Sequence, residues 1–232
     1  MRSESGKIVD RFLRDLREVR TRTVPALRPI RRKWSKELRS ASPDEVLRVA
    51  HDILASGEAE FRFIAYELIH FHKPARTSLR KGDVEALAHG MQSWDAVDAF
   101  SYYISGPAWR DGQIPDETIS EWASSKNRWW RRAALASTIP LARRHSLDAG
   151  DIERVLAVCA SLVADRDDMV VKAMSWALRE VARQDPPAAT RFIGAYGDSL
   201  APRVLREVRN KLQTGLKNPR KRSTDVKLVR RV

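Results

Sequence analysis

The sequence predicts an all-α protein, a helical-repeat solenoid of about six antiparallel helix pairs with a basic concave groove. Apolar residues recur at helical spacing along nearly all 232 residues, and no convincing alternating pattern of strands interrupts them. Helix-start signals recur along the chain, and a weak internal echo links the second helix of successive pairs. A hydrophobic content of 43% is enough to build a continuous core.

The helices are expected in pairs that average about 36 residues, a spacing typical of solenoids. Ser42, Pro43 and Glu45 form a strong helix start, with a serine N-cap, proline at the first position and glutamate at the third. Pro115 opens another helix, and Pro186 follows the end of one helix and begins the next. The expected pairs are 6–20 with 25–39, 43–56 with 59–72, 82–91 with 94–105, 115–124 with 127–143, 150–164 with 168–184, and 187–196 with 201–216.

A repeated alanine sets the register of the second helices. Ala65, Ala99, Ala133 and Ala173 align at steps of 34, 34 and 40 residues. Small residues at these positions let neighbouring helices approach closely, as in HEAT-like repeats. Because one pair cannot bury its apolar face alone, stacking of the pairs creates one continuous core.

This register predicts one surface that holds both charges and indoles. Asp98, Arg132 and Lys172 each precede an aligned alanine, so they should point the same way from successive helices. Trp94 lies four residues before Asp98 and Trp176 four residues after Lys172, so both share those helical faces. Each tryptophan taken alone is more often a core residue, but a core disfavours unpaired charge and a solvated face disfavours indoles. A groove for a cationic or aromatic ligand accommodates both.

The net charge of +13 indicates a polyanionic partner. Arginine dominates the excess, with 32 Arg against 11 Lys. A GC-rich genome is an alternative explanation of the preference for arginine over lysine, but it does not explain the surplus of bases over acids.

Several chemistries are not indicated, and we expect neither a metal ion nor a cofactor. Cys159 is the single cysteine, so an internal disulfide and a cysteine metal site are both excluded. His70 and His72 could bind a metal, but their position before Lys73 and Pro74 favours the end of a helix. Gly-rich phosphate loops, HExxH and Gly-x-Ser-x-Gly motifs are absent from the sequence. A charged start and the lack of long apolar runs predict neither a signal peptide nor a membrane span, and the single cysteine fits a reducing cytoplasm. We expect a cytoplasmic, nucleoid-associated protein whose basic concave groove works as a monomer.

Two parts are expected along the chain. Residues 1–216 form the repeat domain, and residues 217–232 form a basic, disordered tail. The tail has seven basic residues against one acid, Asp225. It either adds nonspecific attraction to phosphates or is a solubilising terminus.

Five segments together resemble the HEAT-like DNA alkylation-repair glycosylases of the AlkD type, over roughly residues 20–215. The most specific is Ser93-Trp94-Asp95-x-Val97-Asp98, which matches the family motif that carries the catalytic aspartate. An aromatic residue that some members place near the lesion in the N-terminal helices has no clear counterpart. The other four segments are Val24-Pro25-Ala26-Leu27-Arg28, Leu54-Ala55-Ser56-Gly57-Glu58, Arg132-Ala133-Ala134 and Lys172-Ala173-x-x-Trp176-x-Leu178-Arg179-Glu180.

The resemblance implies excision of N3- or N7-alkylated purines from duplex DNA, without a pocket for the damaged base. Asp98 would stabilise the oxocarbenium-like sugar and position water, and Trp94 and Trp176 would flank the lesion nucleotide. Contacts to the DNA backbone would come from Arg131, Arg132, Lys172 and Arg179.

Two other functions stay open at this point. A HEAT-like DNA-binding protein without excision activity, specific for lesions or branched DNA, fits the basic composition equally well, although it has no evident need for the Asp98 carboxylate. A protein-binding scaffold is the commonest use of helical repeats in general.

Overall fold

The computed structural model describes residues 4–142 and 149–219. Within these ranges the chain is helical and has no strand, which confirms the all-α prediction and the helical-repeat solenoid. The helices fall into two layers that alternate along the chain.

The first layer contains the opening helices of the repeats, and the second layer contains the helices that follow them. The first layer consists of α1 (Glu4–Arg17), α3 (Pro43–Ala55), α5 (Lys73–Ser78), α6 (Lys81–Leu87), α9 (Asp116–Ala123), α11 (Ala149–Ser161) and α13 (Pro186–Tyr196). The second layer consists of α2 (Val24–Glu37), α4 (Arg62–Phe71), α7 (Trp94–Phe100), α8 (Gly106–Arg110), α10 (Arg128–Ala142), α12 (Asp168–Gln184) and α14 (Pro202–Thr214).

Local sequence signals start the helices where expected. The Ser42 side chain accepts a hydrogen bond from the Glu45 amide, which confirms the predicted cap of α3. His70 and His72 do lie at a helix end: α4 stops at Phe71, and the His72 Nδ1 atom accepts from the Ala75 amide to cap α5. The short helix α5 was not predicted, because a lysine followed by a proline usually indicates the end of a helix.

Consecutive second-layer helices pack against one another, from α2 through α4, α7–α8, α10 and α12 to α14. Of the four alanines in the predicted register, Ala65, Ala133 and Ala173 are buried, whereas Ala99 is half-buried. Trp122 is also buried, and its ring stacks at a tilt on Trp130 at a centroid distance of 4.8 Å. These contacts form one continuous core.

A turn of π-helix, Ser101–Ser105, joins α7 to α8, so a helical path runs from Trp94 to Arg110. The sequence predicted an end near residue 105, because Gly106 and Pro107 usually interrupt a helix. The Ser105 hydroxyl instead hydrogen-bonds that of Ser137 on α10 at 2.7 Å. A Cβ atom at Gly106 would lie 2.6 Å from Pro140 Cγ, so glycine permits this close approach.

At the chain start, α1 ends at Arg17, three residues before the expected end. Most of the predicted tail lies outside the described residues. No described helix combines the length and apolar character needed to cross a bilayer.

Candidate functional site

The centre of the candidate site is a paired carboxylate and guanidinium. Arg132 on α10 binds Asp98 on α7 through two hydrogen bonds, from Nε to Oδ1 at 2.9 Å and from Nη2 to Oδ2 at 2.7 Å. The Nη1 atom of Arg132 donates to the Met169 carbonyl on α12 at 2.6 Å. Three successive second-layer helices are therefore connected at this point, and the geometry fixes the orientation of the carboxylate.

Asp98 remains accessible to solvent although Arg132 binds both of its carboxylate oxygens. Its side chain is 20% exposed, whereas that of Arg132 is 6% exposed. Burial raises the pKa of Asp98 above the ordinary aspartate value, the Arg132 guanidinium opposes that rise, and nearby Asp95 adds to it. Asp98 is thus a desolvated carboxylate with an open side, which suits it to interact with a positive charge brought to it.

The two tryptophans of the predicted surface differ in burial. Trp94 is the first residue of α7, one turn before Asp98, and it is 58% exposed. An exposed indole of this size is unusual, because large aromatic side chains are normally covered. Trp176 on α12 is half-buried, and its Nε1 atom donates to Glu180 at 3.3 Å.

The predicted cations take unequal positions. Lys172 is exposed and pairs with Asp168 at 2.6 Å, one helical turn away. Arg179 is half-buried, its Nε atom donates to the Ser175 hydroxyl, and burial lowers its pKa. Of these two, Lys172 has the accessible ammonium group.

The neighbouring arginines are engaged within the fold. Arg131 donates to Asp165 at 2.7 Å and to the carbonyls of Ser125 and Lys126, so it holds together the ends of two loops. All three nitrogens of the Arg132 guanidinium already have protein acceptors. The resemblance implies phosphate contacts for both residues, and in the structure both also bind groups of the protein itself.

A second buried carboxylate was missed by the sequence reasoning. Glu67 on α4 accepts from Arg28 at 2.8 Å and from Arg31 at 3.0 Å, both on α2. Arg28 also donates to the Tyr103 hydroxyl in the π turn at 3.1 Å. The sequence did contain a signal for these ion pairs. Glu67 lies 36 to 39 residues after its arginine partners, which is close to the length of one repeat.

A metal-binding cluster of His, Cys, Asp and Glu is not found in the part of the chain that the structure describes. Cys159 is buried, and burial raises the pKa of its thiol to about 12, so the thiol is neutral and unreactive near neutral pH. The site chemistry therefore rests on oxygen, nitrogen and aromatic groups.

The fold and site together define an all-helical repeat protein with an arginine surplus and, one helical turn apart on α7, a partly open carboxylate and an exposed indole. Residues 2–212 match the model of the family described as DNA alkylation repair enzyme. The chain belongs to that family, and its substrate is accordingly DNA. No curated protein matches the chain.

Proposed function

We propose that this protein is an alkylpurine-DNA glycosylase, which hydrolyses the N-glycosidic bond of N3- or N7-alkylated purines in duplex DNA. The observation that carries the proposal is the Asp98 carboxylate, fixed by Arg132 yet partly open, one helical turn from the exposed Trp94. Such a pair suits a substrate that is itself cationic. A single chain supplies every residue of this proposed site, and we propose that the protein acts as a monomer.

The chemistry needs little from the protein beyond charge and position. Alkylation gives the purine a positive charge, so the base takes the bonding electron pair and leaves neutral. Positive charge then develops on the deoxyribose, and a carboxylate held beside it lowers the barrier. Water adds to C1′ and loses a proton, which yields an abasic sugar, the free base and one proton in solution.

Each residue has a separate part in this proposal. Asp98 faces the developing sugar cation and orients the attacking water. Trp94 and Trp176 present π faces to the lesion nucleotide, at about 0.5–2 kcal/mol for each cation contact. Arg132 acts as a positioning residue, because it fixes the carboxylate and is itself covered. Lys172 binds a DNA phosphate. Arg131 and Arg179 bind phosphates only if they first give up their present hydrogen-bond partners in the protein.

The decisive experiment compares two carboxylate-to-amide variants that each break one arginine pair. Asp98→Asn should lower the single-turnover rate of 7-methylguanine and 3-methyladenine release about 100-fold or more. Asp165→Asn breaks the adjacent Arg131 pair, where the carboxylate is 11% exposed. It should change release little while the protein stays folded.

Thermal denaturation must accompany the assay, because Asp98→Asn leaves Arg132 covered and without its counterion. Release is therefore measured well below both melting temperatures. Equal release by wild type and Asp98→Asn would remove Asp98 from catalysis. Salt-dependent binding to DNA without any release by the wild type would favour the non-catalytic DNA-binding function.

A further inference from the structure

A cavity of about 320 Å³ opens on the second layer, on the N-terminal side of the Asp98 helix. Three successive second-layer helices contribute to its wall: α2 with Arg28, α4 with Arg62, and α7 with Asp95 and Ala99. Tyr103 of the π turn also lines it. Trp94 and Asp98 lie on the same helix α7, so the cavity adjoins the helix that carries the candidate site.

Arg28 is preorganised at this cavity. Its Nε atom is bonded to Glu67 and its Nη2 atom to the Tyr103 hydroxyl, so two of its three nitrogens fix the plane of the guanidinium. No acceptor for its Nη1 atom is found among the described residues, and the side chain is 40% exposed. A planar donor held by partners and left open on one edge is suited to an oxyanion.

The cavity also has a surplus of positive charge. Glu67 is shared by Arg28 and Arg31, so one carboxylate serves two guanidiniums. Arg62 donates to the Tyr66 hydroxyl and the His89 carbonyl, which are neutral, so its charge is not compensated by those bonds. The charged residues that line the cavity are Arg22, Arg28 and Arg62 against Glu60 and Asp95. A net charge of about one positive unit remains, which matches one phosphodiester.

We propose that this cavity, termed the α2 cavity, binds a backbone phosphate of the DNA next to the lesion. The proposal rests on the proposed function, because it takes the DNA to cross the second layer at Trp94 and Asp98. A strand leaving Asp98 towards the N-terminus passes the mouth of the α2 cavity. Arg28 and Arg62 contact the phosphate oxygens, and Asp95 limits the affinity of the site.

The test places a carboxylate at the cavity mouth and leaves every residue of the existing ion pairs in the sequence. Val24 lines the α2 cavity, is exposed, and is the first residue of α2. An acid at that position is favourable for the helix, since it faces the positive end of the helix dipole. Val24→Glu should therefore keep the melting temperature while repelling a phosphate, and Val24→Gln is the neutral control of equal size.

A charge-matched control lies on the first layer. Gly82 is an exposed residue in the first turn of α6, where an added Cβ atom meets nothing within 4 Å. Gly82→Glu changes the net charge as Val24→Glu does, but away from the second layer. Binding of unmodified duplex DNA is followed by fluorescence anisotropy at several salt concentrations. Val24→Glu should weaken binding about tenfold and lower the magnitude of the salt slope by about 0.9, whereas Gly82→Glu and Val24→Gln should change little.

A second measurement locates the phosphate. Duplexes with a cationic pyrrolidine nucleotide carry one neutral methylphosphonate at successive positions. At one or two positions the neutral linkage should weaken wild-type binding and have no further effect on Val24→Glu. Equal weakening by Val24→Glu and Gly82→Glu, or full additivity at every position, overturns the α2 cavity as a phosphate site. Neither binding experiment requires base release, so loss of the proposed catalysis would be seen separately.

Discussion

Two carboxylates of the second layer, Glu67 and Asp98, are each held by an arginine of a neighbouring helix, and they differ in access to solvent. Glu67 is 1% exposed and accepts from both Arg28 and Arg31. Asp98 is 20% exposed and accepts from Arg132. A second guanidinium covers Glu67, whereas the open side of Asp98 lies one turn from the exposed Trp94. Similar ion pairs thus form a closed structural tie in one repeat and an accessible charge in the next.

Among the ion pairs, the largest expected effect comes from breaking the closed one. Glu67→Gln leaves Arg28 and Arg31 without their carboxylate, and removing one partner of a buried pair costs about 3–5 kcal/mol. The free energy of unfolding, measured by urea titration, should fall by an amount in the lower part of that range. Arg28 is partly exposed, so water can solvate its unpaired charge. Glu60→Gln breaks an exposed pair with Arg22 and should cost less than about 1 kcal/mol. Equal losses in the two variants would show that burial of Glu67 does not matter for stability.

The comparison also shows what the sequence could predict. Periodicity and caps predicted the helices, because apolar spacing and N-cap side chains act locally. The alanine register placed Asp98 and Arg132 on one surface, and the structure brings them to 2.7 Å. The register could not predict whether Arg132 binds a phosphate or Asp98. The helical face determines the direction in which a side chain points, but it does not determine the group that the side chain binds. Glu67 was missed for the same reason, since its partners become visible only when α2 and α4 are packed.

The path from α7 to α8 was also beyond sequence reasoning. Glycine followed by proline usually ends a helix, and only the packing against α10 shows why Gly106 continues one. The π turn places Ser101 and Ser105 against α10. The Ser101 hydroxyl donates a hydrogen bond to the Ala133 carbonyl, and the Ser105 hydroxyl is hydrogen-bonded to the Ser137 hydroxyl. These contacts set the spacing of the two helices that carry Asp98 and Arg132.

A methyl group at Gly106 should loosen the Asp98 pair by separating α8 from α10. Its Cβ atom would lie 2.7 Å from the Ser101 carbonyl oxygen and 2.8 Å from that of Ser137, so the backbone must shift. Gly106→Ala should lower stability by about 1–3 kcal/mol and slow base release. Gly82→Ala, where nothing obstructs the methyl group, should stabilise by about 0.5–1 kcal/mol. A stable Gly106→Ala protein with wild-type release would contradict this role of the close approach.

Trp94 and Trp122 differ in solvent exposure in the same way as the two carboxylates do. Trp94→Ala should change the free energy of unfolding by less than about 0.5 kcal/mol, because the indole is largely exposed. If Trp94 contacts the lesion nucleotide, base release should still fall about two- to thirtyfold. Trp122→Ala should instead cost about 3–5 kcal/mol of stability. Its release rate, measured below the lowered melting temperature, should stay close to that of wild type.

The smallest expected effect is a shift in pH dependence that reports the burial of Asp98. The folded protein holds the proton of Asp98 more tightly than an ordinary aspartate does, because burial raises its pKa. Protonated Asp98 has no charge to offer the sugar cation, so release should decline as the pH falls through a value above about 3.9. Asp95→Asn removes a neighbouring negative charge that adds to the rise, so it should move the decline to lower pH. Single-turnover release is measured across the pH range, with acid-catalysed depurination subtracted from a reaction without protein. A decline at the same pH in wild type and Asp95→Asn would mean that a group other than Asp98 controls the profile.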